Sequence, residues 1–145
     1  MIHHISIPAQ DPLNVANVLA EIFEGKITDF GPTENAYMIW FGDDFGSAIE
    51  VYPEDVQLIP GDKKEPCKFN KGNERGFMAV HAAISTTKPR KEIYAIAERE
   101  NWHAAEFVRG SFAVIEFWIE NKLMIELLTE DMAEDYLKLA AKHKS

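Results

Sequence analysis

The sequence is poor in cysteine, since Cys67 is the only one among 145 residues, and no disulfide can therefore form within the chain. Its first residues also lack the basic region and apolar run of a secretory signal. No apolar stretch approaches the roughly 18 residues that a helix needs to cross a bilayer. From these absences we expect a cytoplasmic protein without a membrane partner.

Basic residues are scarce as well. The chain carries 15 Lys and Arg against 24 Asp and Glu, which gives a formal net charge of −9. Nucleic acid and anionic membrane surfaces are bound through clustered Lys and Arg, and the basic residues here are scattered apart from short groups. We therefore expect no nucleic-acid partner. A small-molecule substrate stays open, even an anionic one, because a metal ion can supply local positive charge.

The rest of the composition is that of an ordinary globular protein, with 46% hydrophobic and 27% charged residues. At this length a single domain is expected, here covering residues 1–145. Such a chain can bury a core without a disulfide or a structural metal. We expect any bound metal to serve function rather than folding.

The first part of the chain, about 1–53, reads as a βαβββ module. A strand over 2–9 precedes a helix that starts at Asp11-Pro12, carries an apolar stripe and ends at Gly25. Three short β-type runs follow, near 26–30, 36–41 and 47–52. A connection over about 54–75 comes next, rich in turn formers, with one short structured piece at 56–59. It is expected to serve as a lid or as a linker.

The second part, about 76–129, repeats this order. It predicts a strand over 77–85, a helix from Thr87 or Lys88 to Glu100, and strands near 103–108, 112–120 and 123–128. A terminal helix is predicted over about 130–143. The chain is therefore expected to be an α+β protein built from two βαβββ modules and a C-terminal helix.

Four ionisable residues occupy matching positions in the two modules. His4 opens the first module and His81 opens the second, 77 positions later, while Glu50 and Glu126 lie 76 positions apart in the two last strands. Strand alternation places each histidine on a face with small neighbours. Each glutamate interrupts a run of Ile, Val and Leu, where an unpaired charge costs several kcal/mol, on the order of 3–5.

This residue set is typical of a divalent-metal site. Imidazole nitrogens and carboxylate oxygens are preferred ligands of borderline divalent ions, and two of each neutralise a 2+ ion. Nickel, zinc, cobalt, manganese and iron are not distinguished by these ligands. His3 competes with His4, but alternation sends it to the opposite face, where the second module has Val80. His103 and His143 have no matched counterpart and are expected at the surface.

The order His4, Glu50, His81, Glu126 across two βαβββ modules resembles the vicinal oxygen chelate superfamily. This superfamily includes glyoxalase I, methylmalonyl-CoA epimerase, extradiol dioxygenases, and fosfomycin and bleomycin resistance proteins. The resemblance covers nearly the whole chain and implies a fold in which curved mixed sheets form a barrel-like structure around a metal. The ligand order is most similar to nickel-type glyoxalase I, in which both histidines and both glutamates bind the ion.

What the resemblance implies is a metal-dependent lyase or isomerase. A small substrate with two neighbouring oxygens would bind the ion, which stabilises an enediolate or enolate. A glutamate would move a proton between adjacent carbons, and the resemblance favours Glu126 as this base with Glu50 as its partner. A homodimer is also implied, with modules that pair either within a chain or between chains.

Two alternatives stay open. A ferrous dioxygenase resembles this site but uses two histidines and one glutamate, so Glu50 would be an extra ligand. A metal-free protein of the resistance type would instead hold a compound against aromatic side chains. The candidates for that surface are Trp40, Phe41, Trp102, Phe107, Phe112, Phe117 and Trp118, most of which we expect in ordinary packing.

Overall fold

A computed structural model describes residues 3–31, 33–59, 68–72 and 81–141. The chain divides into two compact units, Met1–Gly76 and Phe77–Ser145. The first unit contains β1 (His4–Ala9), α1 (Pro12–Phe23), β2 (Lys26–Asp29), β3 (Tyr37–Trp40), β4 (Ala48–Pro53), β5 (Val56–Ile59) and β6 (Lys68–Lys71). The second contains β7 (Ala83–Ser85), α2 (Arg90–Glu100), β8 (Ala104–Arg109), β9 (Phe112–Ile119), β10 (Leu123–Leu128) and α3 (Glu130–Ala141).

Each unit forms a four-stranded mixed sheet of the same topology. The strand order is β1-β4-β3-β2 in the first unit and β7-β10-β9-β8 in the second. In both, the first strand of the unit is parallel to the last, and the remaining neighbours are antiparallel. The predicted α+β class, the two βαβββ modules and the C-terminal helix are therefore confirmed.

Each sheet has one buried face made of apolar side chains. In the first unit α1 packs against the sheet, and the strand residues beneath it include Ile7, Ile39, Ile49 and Val51. In the second unit α3 packs against β9 and β10. The buried strand residues there include Ile115, Phe117, Ile125 and Leu127. Among the described residues, no helix is both long and apolar enough to span a bilayer.

The first helix ends at Phe23, two residues before the predicted stop at Gly25. Glu24 is the residue with a left-handed backbone, at φ 53°, and the second helix ends in the same way at Asn101, at φ 57°. Gly25 has a different role, because a Cβ built on it would lie 2.8 Å from the carbonyl oxygen of Trp40 and 2.8 Å from Ile39 Cγ2. A glycine is required at this position because the neighbouring strand β3 approaches the backbone too closely for a Cβ.

The second helix begins at Arg90, later than the predicted start at Thr87 or Lys88. Pro89 is the N-cap, with extended backbone, and it supplies no side-chain hydrogen bond. A proline disfavours helical backbone in the residue before it. For this reason Lys88 stays outside the helix, and its N–H donates to Thr86 Oγ1 at 3.1 Å.

The connection between the modules contains more regular structure than its sequence indicates. The short piece at 56–59 is confirmed as β5, and it pairs antiparallel with β6, which the sequence pattern did not reveal. Residues 60–67, including Cys67, lie outside the described part of the chain, as do 73–80 and His143. The proposed use of the connection as a lid or linker stays a prediction.

Candidate functional site

His4 and Glu50 lie side by side at the parallel pair of strands in the first unit. His4 is opposite Ala48 and Ser6 is opposite Glu50, so these side chains share one face of the sheet. His4 Nε2 lies 3.8 Å from Glu50 Oε1. The two predicted ligands of the first module therefore lie together.

Glu50 is buried, with 6% of its surface exposed. Its Oε2 accepts hydrogen bonds from the Ser6 hydroxyl at 2.6 Å and from the Tyr52 hydroxyl at 2.8 Å. These hydroxyls compensate the desolvation of the carboxylate. They bind Oε2 of Glu50, while Oε1 is the oxygen that faces His4.

Tyr52, which donates to this carboxylate, packs against two further aromatic rings. Tyr52 contacts Phe30 edge to face at 5.5 Å between ring centroids, and it contacts Phe69 of β6 at 5.8 Å. Phe69 also lines a cleft of about 530 Å³. The remaining lining residues are Thr33, Glu34, Asn35, Pro53, Asp55, Val56, Asn70 and Lys71. The hairpin of β5 and β6 thus forms one wall of the cleft.

The second unit has an equivalent strand register. Glu126 is opposite Ala83, two residues after His81, as Glu50 is opposite Ser6, two residues after His4. The Glu126 N–H donates to the Ala82 carbonyl at 2.9 Å. His81 is exposed and precedes β7. The positional match that the sequence indicated is thus present in the strand pairing.

Glu126 has a charged partner that the sequence analysis did not identify. Arg109, the last residue of β8, places its Nε 3.3 Å from Glu126 Oε1. The same guanidinium donates through Nη2 to Glu116 Oε1. Glu116 is directly opposite Glu126 in the antiparallel pair of β9 and β10. Glu116, and after it Glu126, raises the pKa of Arg109, which is therefore a fixed positive charge.

A signal for Glu116 was present in the sequence. Like Glu50 and Glu126, it interrupts an apolar strand, between Ile115 and Phe117. The pattern alone gives no partner, because the partner depends on the register of β9 against β10 and β8.

The other histidines lie in different surroundings. His3 Nδ1 is 2.8 Å from the carbonyl oxygen of Phe45, so its ring contacts the loop before β4. His103 is exposed, as expected. Several of the candidate aromatic residues pack against other rings: Phe41 stacks on Phe23, Trp102 contacts Phe117, and Phe112 contacts Tyr136.

The donor pair in the first unit is close enough to reach one divalent ion. Typical metal–nitrogen and metal–oxygen lengths add to about 4.0–4.3 Å, which is the largest separation at which two donors can share an ion, and these donor atoms lie 3.8 Å apart. One oxygen of Glu50 is already oriented by hydroxyl donors, as is usual for a ligating carboxylate. Within the described ranges, no group of three or more His, Cys, Asp or Glu side chains gathers as a metal cluster. The described contacts therefore show one pair of possible ligands, His4 and Glu50.

A scan against protein-family models and a search of curated proteins both found no match. Solved structures do match. One is the fosfomycin resistance protein FosX from Listeria monocytogenes in complex with Mn(II) and sulfate, at 15% identity and a TM-score of 0.60, covering 96% of this chain and 97% of that one.

Two further structures extend this similarity. The trypanothione-dependent glyoxalase I of Leishmania major matches at 17% identity and a TM-score of 0.53, over 99% of this chain and 96% of that one. A possible glyoxalase from Bacillus cereus matches at 11% identity and a TM-score of 0.52, over 88% and 96% of the two chains. At these identities the matches establish the fold.

Proposed function

We propose that this chain, which has the vicinal oxygen chelate fold of FosX and glyoxalase I, is a divalent-metal-dependent lyase or isomerase. Its substrate would be a small molecule with two neighbouring oxygens. The observation that carries the proposal is the His4–Glu50 pair, together with the equivalent strand register of Glu126 in the second unit.

His4, Glu50, His81 and Glu126 are the proposed ligands, two from each module. The FosX structure holds Mn(II), and the fold similarity to it therefore supports a divalent ion. The similarity does not identify which ion this chain would bind. When bound, the ion would act as a Lewis acid that polarises the substrate oxygens. The proposal requires both modules to supply ligands to one ion, either within one chain or between the subunits of a homodimer.

Glu126 is the proposed base, and Glu50 is its fixed partner. Two hydroxyl hydrogen bonds hold Glu50 in a buried position. The Glu126 side chain is slightly more exposed than that of Glu50, at 13% against 8%, and Arg109 donates a long 3.3 Å hydrogen bond to it. A carboxylate held in this looser way can move to take a proton from one carbon and return it to the next.

Hydrogen exchange in D₂O tests this reaction. The protein is loaded in turn with nickel, zinc, cobalt, manganese and ferrous iron, its metal content is measured, and α-hydroxy ketones are added. We expect deuterium to enter the carbon next to the carbonyl with the wild-type protein. Glu126→Gln should reduce the rate by at least about 100-fold, while the control Glu98→Gln, on an exposed face of α2, should leave it unchanged.

Two outcomes would overturn this function. A protein that holds no divalent ion under any loading condition, yet binds aromatic compounds, would be the metal-free binding protein. If the ferrous form consumes oxygen when it is given catechols, and if it no longer converts them under anaerobic conditions, the protein is the dioxygenase.

A further inference from the structure

Arg109 lies between two carboxylates that face each other across neighbouring strands. Its Nη2 donates to Glu116 and its Nε lies 3.3 Å from Glu126 Oε1. The Trp118 indole N–H also reaches Glu116 Oε2, at 3.4 Å. Glu116 therefore accepts hydrogen bonds from two side chains, whereas the guanidinium of Arg109 donates to two carboxylates.

The two proposed glutamate ligands consequently have different partners. Neutral hydroxyls of Ser6 and Tyr52 hold Glu50. A guanidinium cation contacts Glu126. Glu126 lies in β10, which pairs with strands on both of its sides, so the backbone already fixes where its side chain begins. Arg109 therefore acts on the carboxylate of Glu126 and not on its backbone position.

We propose that Arg109 makes Glu126 the weaker and removable metal ligand, and that Glu116 limits this effect by sharing the charge of Arg109. Both are positioning residues in this role. The inference rests on the proposed metal site, and it explains how two ligands of the same type become a fixed ligand and a mobile base.

The physical reason is competition between two cations for one carboxylate. A divalent ion and a guanidinium both lower the energy of the Glu126 anion, and they repel each other. Removing the positive charge of Arg109 therefore strengthens ion binding. Removing the negative charge of Glu116 leaves Arg109 to pair fully with Glu126, which weakens ion binding. Arg109 is 39% exposed, so solvent reduces both effects.

Titration of the full-length protein with Co²⁺, followed by visible absorption in competition with a chelator, measures these affinities without any substrate. We expect Arg109→Gln to bind Co²⁺ about fivefold more tightly than wild type, and Glu116→Gln about fivefold more weakly. The double variant separates the two roles. In an Arg109→Gln background, Glu116→Gln should weaken binding by less than it does in wild type.

The control is Arg99→Gln in the same unit, since Arg99 makes a 2.8 Å contact with the carboxylate of Glu100. Its Co²⁺ affinity should equal that of wild type. The opposite signs of the two main variants separate this effect from a general folding defect, which would weaken both.

Weaker binding by Arg109→Gln would overturn the inference, because Arg109 would then support the ligand. An equal effect of Glu116→Gln in both backgrounds would overturn the role of Glu116. If wild type binds neither Co²⁺ nor any of the other divalent ions, the proposed function fails together with this inference. If wild type binds and Arg109→Gln shows no change, only this inference fails.

Discussion

The hydroxyl of Ser6 donates a 2.6 Å hydrogen bond to the carboxylate of Glu50, the residue directly opposite it in the parallel strand pair. The equivalent position beside Glu126 is Ala83, which has no hydroxyl. Two modules with the same strand register have therefore diverged at the residue next to the glutamate. In one module the carboxylate is held by neutral donors, and in the other it is held by Arg109.

Ser6→Ala is expected to lower the free energy of unfolding by about 1–2 kcal/mol, since it removes one of two hydroxyl donors from the buried Glu50 carboxylate. Urea unfolding measures this change. The reciprocal control is Ala83→Ser, at an exposed position, which should stay within about 0.5 kcal/mol of wild type. Equal stability of Ser6→Ala and wild type would show that the hydroxyl does not stabilise Glu50.

Gly25→Ala is expected to destabilise the first unit by about 1–3 kcal/mol, because the new Cβ would lie 2.8 Å from the carbonyl oxygen of Trp40. Thermal unfolding followed by circular dichroism is a suitable measurement. Gly31→Ala provides the matched control, since nothing lies within 4 Å of a Cβ at Gly31. If the two variants unfold at the same temperature, Gly25 is not required by close packing.

Asp131 links stability to pH. Arg90 and then Thr129 hydrogen-bond this carboxylate and hold the pKa of Asp131 below its usual value. The folded pKa is thus lower than the unfolded one, which is about 3.9. The contribution to stability is complete above the unfolded pKa and is lost as pH falls through the folded pKa.

We therefore expect Asp131→Asn to lower the melting temperature by about 2–4 °C at pH 7, with a difference that narrows below about pH 4. Arg90 donates to Asp131 through two nitrogens, at 2.9 and 2.7 Å. Asp135→Asn, which removes an exposed pair with Lys138 on the same helix, should show little difference at any pH. A constant difference for Asp131→Asn across this range would contradict the assignment.

Much of the fold was predictable because strand and helix periods repeat in both modules. The element order and the terminal helix follow directly from those periods. The predicted start of α2 was wrong, because Pro89 keeps Lys88 out of the helix. The partner of β5 was not found, because β6 has only four residues and no clear apolar alternation.

The site was predictable only in part. Matched positions indicated the four candidate ligands, but their neighbours depend on register between strands. Arg109 reaches Glu116 because a two-residue turn at Gly110 and Ser111 sets the pairing of β8 with β9. A sequence pattern does not show which cation lies beside a strand glutamate, so Arg109 and Glu116 were missed.

The most direct measurement of the central claim is the number of Co²⁺ ions bound per chain by wild type, His4→Ala and His81→Ala. We expect one ion per chain for wild type and a loss of at least about 10-fold in affinity for each variant, because the proposed function has one ion take ligands from both modules. His103→Ala, at an exposed position, should bind as wild type does. Full Co²⁺ binding by either His4→Ala or His81→Ala, or no binding by wild type, would contradict a metal site shared by the two modules.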